Sequence, residues 1–173
     1  MQRCAWVTAD PIYMEYHDTE WGKPVTDEDA LFERISLEGF QAGLSWLTIL
    51  KRREGFREAF LGFEIERVAR MTEKDVERLL LNEGIIRHRG KIQAVINNAR
   101  VVKDQNLSLE ELLGKHAPTE DRTGLTLSPE STALSKELRK LGFNFVGPTT
   151  MHAMMQAIGI INDHDLTCEF RKN

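Results

Sequence analysis

Apolar residues recur along this chain at intervals of three and four, the spacing of one face of a helix. No alternating apolar-polar run lasts long enough to build a sheet. Thr26-Asp27 forms a cap before Glu28-Asp29 and the stripe Leu31, Phe32, Ile35, so a helix is predicted there. Trp46, Ile49 and Leu50 start another. Thr72-Glu73-Lys74-Asp75 has the form of a capping box ahead of Val76, Leu79 and Leu80. Ile92, Val95, Ile96, Ala99 and Val102 mark a strongly amphipathic helix. Ser108-Leu109-Glu110-Glu111 and Ser128-Pro129-Glu130 open two more, and Gly147-Pro148 opens a last one through Met151, Met154, Met155 and Ile158. Breaks are expected near 103–108 and 114–130, where Gly, Pro, Thr and charge collect. The fold class is all-α.

Length adds that the 173 residues form one unit able to bury most of its apolar surface. No apolar run reaches the roughly 18 residues a membrane span requires, so no membrane partner is expected. The opening MQRCAWVTAD has no apolar stretch of a signal peptide. With only two cysteines, this leads to the expectation of a reducing cytoplasm and no disulfide. The net charge of −4 argues against holding nucleic acid by bulk attraction. Local basic clusters nevertheless occur at Lys51-Arg52-Arg53, at Arg87-His88-Arg89-Gly90-Lys91, and at Lys136 with Arg139-Lys140.

Candidate chemistry gathers at four places. All three tryptophans and both tyrosines lie early, at Trp6, Tyr13, Tyr16, Trp21 and Trp46, while the rest of the chain has only phenylalanine. Their polar handles suit a pocket that stacks a flat ligand, or else a core that is aromatic at one end. Glu38 falls seven residues after Leu31 and three after Ile35. If that helix continues, its carboxylate faces the core and needs a partner; if the helix ends near Gly39, it is exposed or in a salt bridge with an arginine. Cys4 and His17 at one end, with His164 and Cys168 at the other, make a donor set for tetrahedral zinc or two free thiols with two ordinary histidines. Between Leu79 and Val102, Gly84 and Gly90 flank a short basic turn between apolar helices. That is the form of a helix-hairpin-helix, whose exposed amides can take a phosphate, or of a plain helical hairpin.

Taken together, the stretches Arg3-Cys4-Ala5-Trp6, Tyr16-His17-Asp18, Glu20-Trp21-Gly22 and Leu37-Glu38-Gly39 resemble a known family. So do Gln41-Ala42-Gly43-Leu44-Ser45-Trp46, Gly84-Ile85-Ile86-Arg87-His88-Arg89-Gly90-Lys91-Ile92, and Asn162-Asp163-His164 with Cys168. In order and over nearly the whole chain, they resemble the 3-methyladenine DNA glycosylase I family.

The resemblance implies an all-helical fold of the helix-hairpin-helix glycosylase superfamily, with the hairpin near 75–103. It implies excision of 3-methyladenine from alkylated double-stranded DNA by hydrolysis of the N-glycosidic bond, carried out by a monomer. Glu38 matches the carboxylate that bonds the alkylated base; Tyr13, Tyr16 and Trp46 match pocket residues, with Trp6 and Trp21 beside them. Gly43 and Leu44 match a loop that enters the gap left by the base. Gly84, Arg87, Arg89, Gly90 and Lys91 would hold the phosphate backbone. Cys4, His17, His164 and Cys168 match the ligands of one structural zinc that ties the two ends together. The segment from Lys103 to Ser128 is shorter than the family pattern, and the hairpin lacks the superfamily's Gly-x-Gly. Asp104 lies outside any motif for a water-activating base, and no lysine falls in the matched pocket set, so no lyase activity is expected.

Overall fold

The computed structural model describes residues 1–172, and helices are the regular elements throughout, with no strand among the described residues. In chain order they are α1 (Pro11–Thr19), α2 (Glu28–Gln41), α3 (Trp46–Lys51), α4 (Arg53–Ala59), α5 (Ile65–Val68), α6 (Glu73–Leu79), α7 (Arg89–Asp104), α8 (Leu109–Gly114), α9 (Pro129–Leu141) and α10 (Pro148–Ala157). No helix among the described residues is long and apolar enough to cross a membrane.

The helix starts follow the local chemistry of the sequence. Asp27 caps α2 by accepting from the Ala30 amide at 2.9 Å. Thr72 and Asp75 close a reciprocal capping box at the start of α6. Ser128 and Pro129 open α9, which stops at Gly142 in the left-handed conformation, φ 110°. The periodicity did not mark α1, α4 and α5. The buried face of α1 consists of Tyr16 and His17, so it carries no aliphatic stripe. The other two have seven and four residues, too few to show a period.

Helix α2 is the axis of the molecule. It packs against α3, α5, α7, α8 and α10, and an unbroken run from Ile35 to Phe40 is buried. The main core brings Leu31, Phe32 and Ile35 against Phe56, Phe60, Phe63, Ile92, Val95 and the methionines of α10. A second cluster gathers Cys4, Tyr16, Trp21, Leu50, Ala157 and Cys168, joining the two ends of the chain. Glu20 fixes α1 to this frame by accepting from Arg53 at 2.6 and 2.8 Å and from Arg34 at 3.1 Å. The turn before α7 is seated against α4. There a Cβ on Gly55 would collide with the Gly84 carbonyl, and Arg52 donates to the Glu83 carbonyl at 2.9 Å.

Candidate active site and the Cys/His cluster

Because α2 runs on to Gln41, Glu38 is carried into the interior and is only 4% exposed. Trp6, Tyr13, Tyr16, Trp21 and Trp46 line a cavity of about 190 Å³ together with this carboxyl. The five early aromatics thus share one site. Tyr16 and Trp46 tilt toward each other with ring centroids 5.6 Å apart, and Trp6 meets Tyr13 at 5.0 Å. Arg34 places its guanidinium 6.0 Å from the Tyr16 ring centre. Burial pushes the Tyr16 hydroxyl above the usual phenolic range.

Burial also dominates Glu38. It lifts the pKa to about 8, and the positive charge of Arg34 only partly opposes the shift. Two buried polar atoms of the cavity residues lack a hydrogen-bond partner, Glu38 Oε2 and Trp46 Nε1. Native interiors rarely leave such atoms unpaired. Here one acceptor or acid proton and one N–H donor are available to a polar, flat ligand between aromatic faces.

Gln41, Gln156 and Asp163 also line the cavity, and the sequence singled out none of them. Asp163 Oδ2 accepts from Gln156 Nε2 at 2.8 Å, and its Oδ1 accepts from the Gly124 amide at 2.6 Å. It therefore draws the loop before α9 toward the site. Asp163 stood inside the matched stretch Asn162-Asp163-His164, which was its only signal. Gln156 sits on α10 off the methionine stripe and had none.

Cys4, His17, His164 and Cys168 converge, all four buried and with ligand atoms within 4.8 Å of one another. His164 presents Nδ1 at 3.5 Å from both sulfurs, and His17 presents Nε2 at 3.5 Å from Cys168 Sγ. The other nitrogen of His17 is held by Asp18 Oδ1 at 2.8 Å, and Arg3 grips Asp18 at 2.7 to 3.0 Å. The Asp165 amide donates to Cys4 Sγ at 3.3 Å. Two thiols, two imidazoles and supporting hydrogen bonds make a closed four-donor set fitted to a tetrahedral cation. Burial holds the Cys4 thiol up at about 12 and His164 below its usual range. Trp6 and Trp21 join this cluster to the cavity. Trp21 meets His164 edge-on at 4.7 Å, and Trp6 meets His17 at 5.3 Å.

A third region surrounds the start of α7. Gly43 is exposed in the turn after α2, and Leu44 beside it is 39% exposed. Gly84 and Arg87 are exposed on the turn before α7, Arg89 is exposed at the first position of the helix with Gly90 partly so, and Arg89 pairs with Glu77 at 2.7 Å. Lys91 departs from the expected phosphate contact. Its side chain turns inward, and Nζ donates to the carbonyls of Phe40 at 2.9 Å and Ala42 at 2.7 Å. The backbone of the residue explains this: within the first turn of α7, it lies on the face that packs against α2.

Comparison with known proteins agrees with this architecture. The methyladenine glycosylase family matches residues 6–172. DNA-3-methyladenine glycosylase 1 of Escherichia coli (strain K12) is 50% identical, covering 97% of this chain and 96% of the relative. A crystal structure of 3-methyladenine DNA glycosylase I superposes with a TM-score of 0.94 at 48% identity, over 99% of this chain and 100% of that one. A variant of 3-methyladenine DNA glycosylase I in complex with 3-methyladenine superposes with a TM-score of 0.92 at 37% identity, over 100% and 99%. With the match running almost end to end, this chain belongs to the methyladenine glycosylase family.

Proposed function

We propose that the cavity around Glu38 receives a flipped 3-methyladenine and that the enzyme, acting as a monofunctional DNA repair glycosylase, hydrolyses the bond between that base and its sugar. The observation that carries this reading is a buried carboxyl with an unpartnered oxygen, set among five aromatic rings. Methylation at N3 gives the base in DNA a permanent positive charge and weakens its bond to the sugar. Such a substrate needs little leaving-group activation; it needs selection. Aromatic faces favour the cation over neutral adenine by roughly 0.5–2 kcal/mol. In a dry site, Glu38 gives up its proton when the cation enters, and the ion pair adds to that preference. Heterolysis of the glycosidic bond sends the electron pair to the base, which leaves neutral. Water then adds to the sugar carbon and releases its proton to solvent.

The cavity residues include no lysine, so nothing there supplies the amine of a lyase. The Cys/His cluster would hold one structural zinc through Cys4, His17, His164 and Cys168, which would fix α1 and the C-terminal segment beside the pocket. Alkylated duplex DNA would lie against the start of α7, with the amides of Arg89 and Gly90 and the charge of Arg87 on a phosphate. His88 already accepts from the Lys91 amide at 3.0 Å and so defines that turn. Leu44 would fill the gap left by the base, with Gly43 letting the loop approach. In this reading the chain works as a single unit and a monomer in the cytoplasm.

The test is release of free 3-methyladenine from methylated duplex DNA under single-turnover conditions, wild type against Glu38→Gln. Loss of an interaction aimed at the reacting charge should slow release roughly 10²-fold or more. Wild-type rates in the variant remove Glu38 from the chemistry, and an inactive wild type refutes the assignment.

A further inference from the structure

Arg34 precedes Glu38 by four residues on α2, so the two side chains rise from the same face of the helix, one turn apart. Both are withdrawn from solvent, the Arg34 side chain 12% exposed and Glu38 4%. Each keeps one buried polar atom without a hydrogen-bond partner, Arg34 Nη1 and Glu38 Oε2. Native interiors rarely leave a donor and an acceptor unmatched in this way. Here the unmatched groups are a cation and an acid on one helix face. Tyr16, which lines the cavity with Glu38, has the Arg34 guanidinium 6.0 Å from its ring centre.

Charges beyond the cavity fix this guanidinium. Its Nη2 donates to Glu20 Oε2 at 3.1 Å, and Arg53 donates to both Glu20 oxygens at 2.6 and 2.8 Å. Burial would raise the Glu20 carboxyl, yet Arg53 and Arg34 hold it below its usual range, so the clamp is ionic. The other groups around Glu38 do not fill the same role. Tyr13 and Tyr16 of α1 are phenols that burial keeps neutral. Trp46 of α3 and Gln156 of α10 do not titrate. Asp163, beyond α10, is an acid held by Gln156 and the Gly124 amide. Lys91 of α7 is bonded to the carbonyls of Phe40 and Ala42, and Arg53 of α4 acts through Glu20.

We propose that Arg34 is a positioning residue for base capture: it holds the ionised carboxylate of Glu38 in the pocket as its counter-ion, while Glu20 and Arg53 keep the guanidinium in place. The proposal rests on the reading of Glu38 as the carboxylate that captures the base. A negative charge in a dry site is unfavourable unless a cation lies close. Arg34 supplies that cation before the methylated base arrives and again after the base has left as a neutral molecule. Glu20 balances part of its charge, so the pocket still accepts a second cation.

The experiment is the pH profile of kcat/KM for 3-methyladenine release from methylated duplex DNA, with melting temperatures alongside. It compares wild type, Arg34→Met, Arg34→Lys, Glu38→Gln and the double variant Arg34→Met with Glu38→Gln. Methionine keeps an apolar stem of similar shape, and Glu20 retains Arg53, so the fold is expected to hold. A neighbouring opposite charge typically moves a carboxyl by about one unit or more, so Arg34→Met should lower kcat/KM roughly threefold to tenfold near neutral pH. The gap should close at higher pH, where Glu38 ionises without help. Arg34→Lys, which keeps the charge, should stay near the wild-type profile. In the double variant the loss of Arg34 should cause no slowing beyond Glu38→Gln, because no carboxylate remains to be held.

An Arg34→Met profile that superposes on the wild type overturns the proposal, and slow release by Glu38→Gln in the same assay shows that the pocket reading survives. An equal loss at every pH, or in the Glu38→Gln background, makes Arg34 a packing residue and also overturns it. If Glu38→Gln releases base at the wild-type rate, the reading of Glu38 fails and the proposal with it. If Arg34→Met melts early, Arg34→Gln, which can still donate to Glu20, decides by the same profile.

Discussion

Lys91 Nζ lies 2.7 Å from the carbonyl oxygen of Ala42, so the start of α7 is bonded directly to the end of the helix that carries Glu38. The second bond, to the Phe40 carbonyl, places a cation at the C-terminal end of α2, where the helix dipole is negative. This is a mechanical link between the turn proposed to hold the phosphate and the loop bearing Leu44.

From that link follows a prediction that separates Lys91 from its basic neighbours. A phosphate contact raises the salt dependence of DNA binding, and its loss lowers the log–log slope by about one. Lys91→Met should leave this slope unchanged, because the ammonium is buried on carbonyls, whereas Arg87→Ala should reduce it. Lys91→Met should also lower folding stability by roughly 1–3 kcal/mol, since two carbonyls lose a charged donor. Duplex binding titrated across salt concentrations, with urea unfolding of the same variants, checks both expectations.

The helical framework was legible because its longer helices bury aliphatic stripes and begin with capping residues, as Asp27 and Ser128 show. Glu38 was legible only conditionally. Its burial depended on α2 passing through Gly39, and packing on all sides of α2, which a local pattern does not encode, carries it on to Gln41. Gln156, Asp163 and the inward turn of Lys91 depend on contacts between residues far apart in sequence. Lys91 read as a phosphate contact because basic turns usually face water. The Cys/His set was legible as donor types at the two ends, but spacing alone gave no reason for those ends to meet.

The Asp18–His17 pair gives the second prediction. Asp18 fixes His17 through Nδ1 and leaves Nε2 facing Cys168, while Arg3 holds Asp18 in turn and, with His17, keeps its carboxyl down at about 2. A supporting carboxylate of this kind typically contributes 10–100-fold in metal affinity. Asp18→Asn should therefore weaken zinc binding by about that factor, measured by competition with a chelator. Cys168→Ser, which removes a ligand, should lose the ion outright by native mass spectrometry. Metal removal should lower the melting temperature and expose the N-terminal segment to protease, since the cluster joins Cys4 to residues 164 and 168. A chain that melts identically with and without chelator would refute a structural ion.

The third prediction concerns the proton on Glu38. Burial raises its pKa from the usual 4.5 to about 8, so between these values the folded protein binds a proton that the unfolded chain releases. Stability attributable to this group is complete below pH 4.5 and is lost as pH rises toward 8, with a slope of up to about 1.4 kcal/mol per pH unit. Unfolding free energies of wild type and Glu38→Gln, measured from pH 5 to 8, should therefore diverge in favour of the variant, since the amide carries no such penalty. Catalysis should run the other way. The methylated base is a fixed cation, so its capture improves as Glu38 ionises, and kcat/KM reports the ionisation of the free enzyme. Base release at limiting substrate should climb between pH 6 and 8 in the wild type and stay flat in Glu38→Gln. A flat wild-type profile combined with parallel stability curves would show that Glu38 is already ionised in the folded enzyme, and its selection of a cation would then need no proton release.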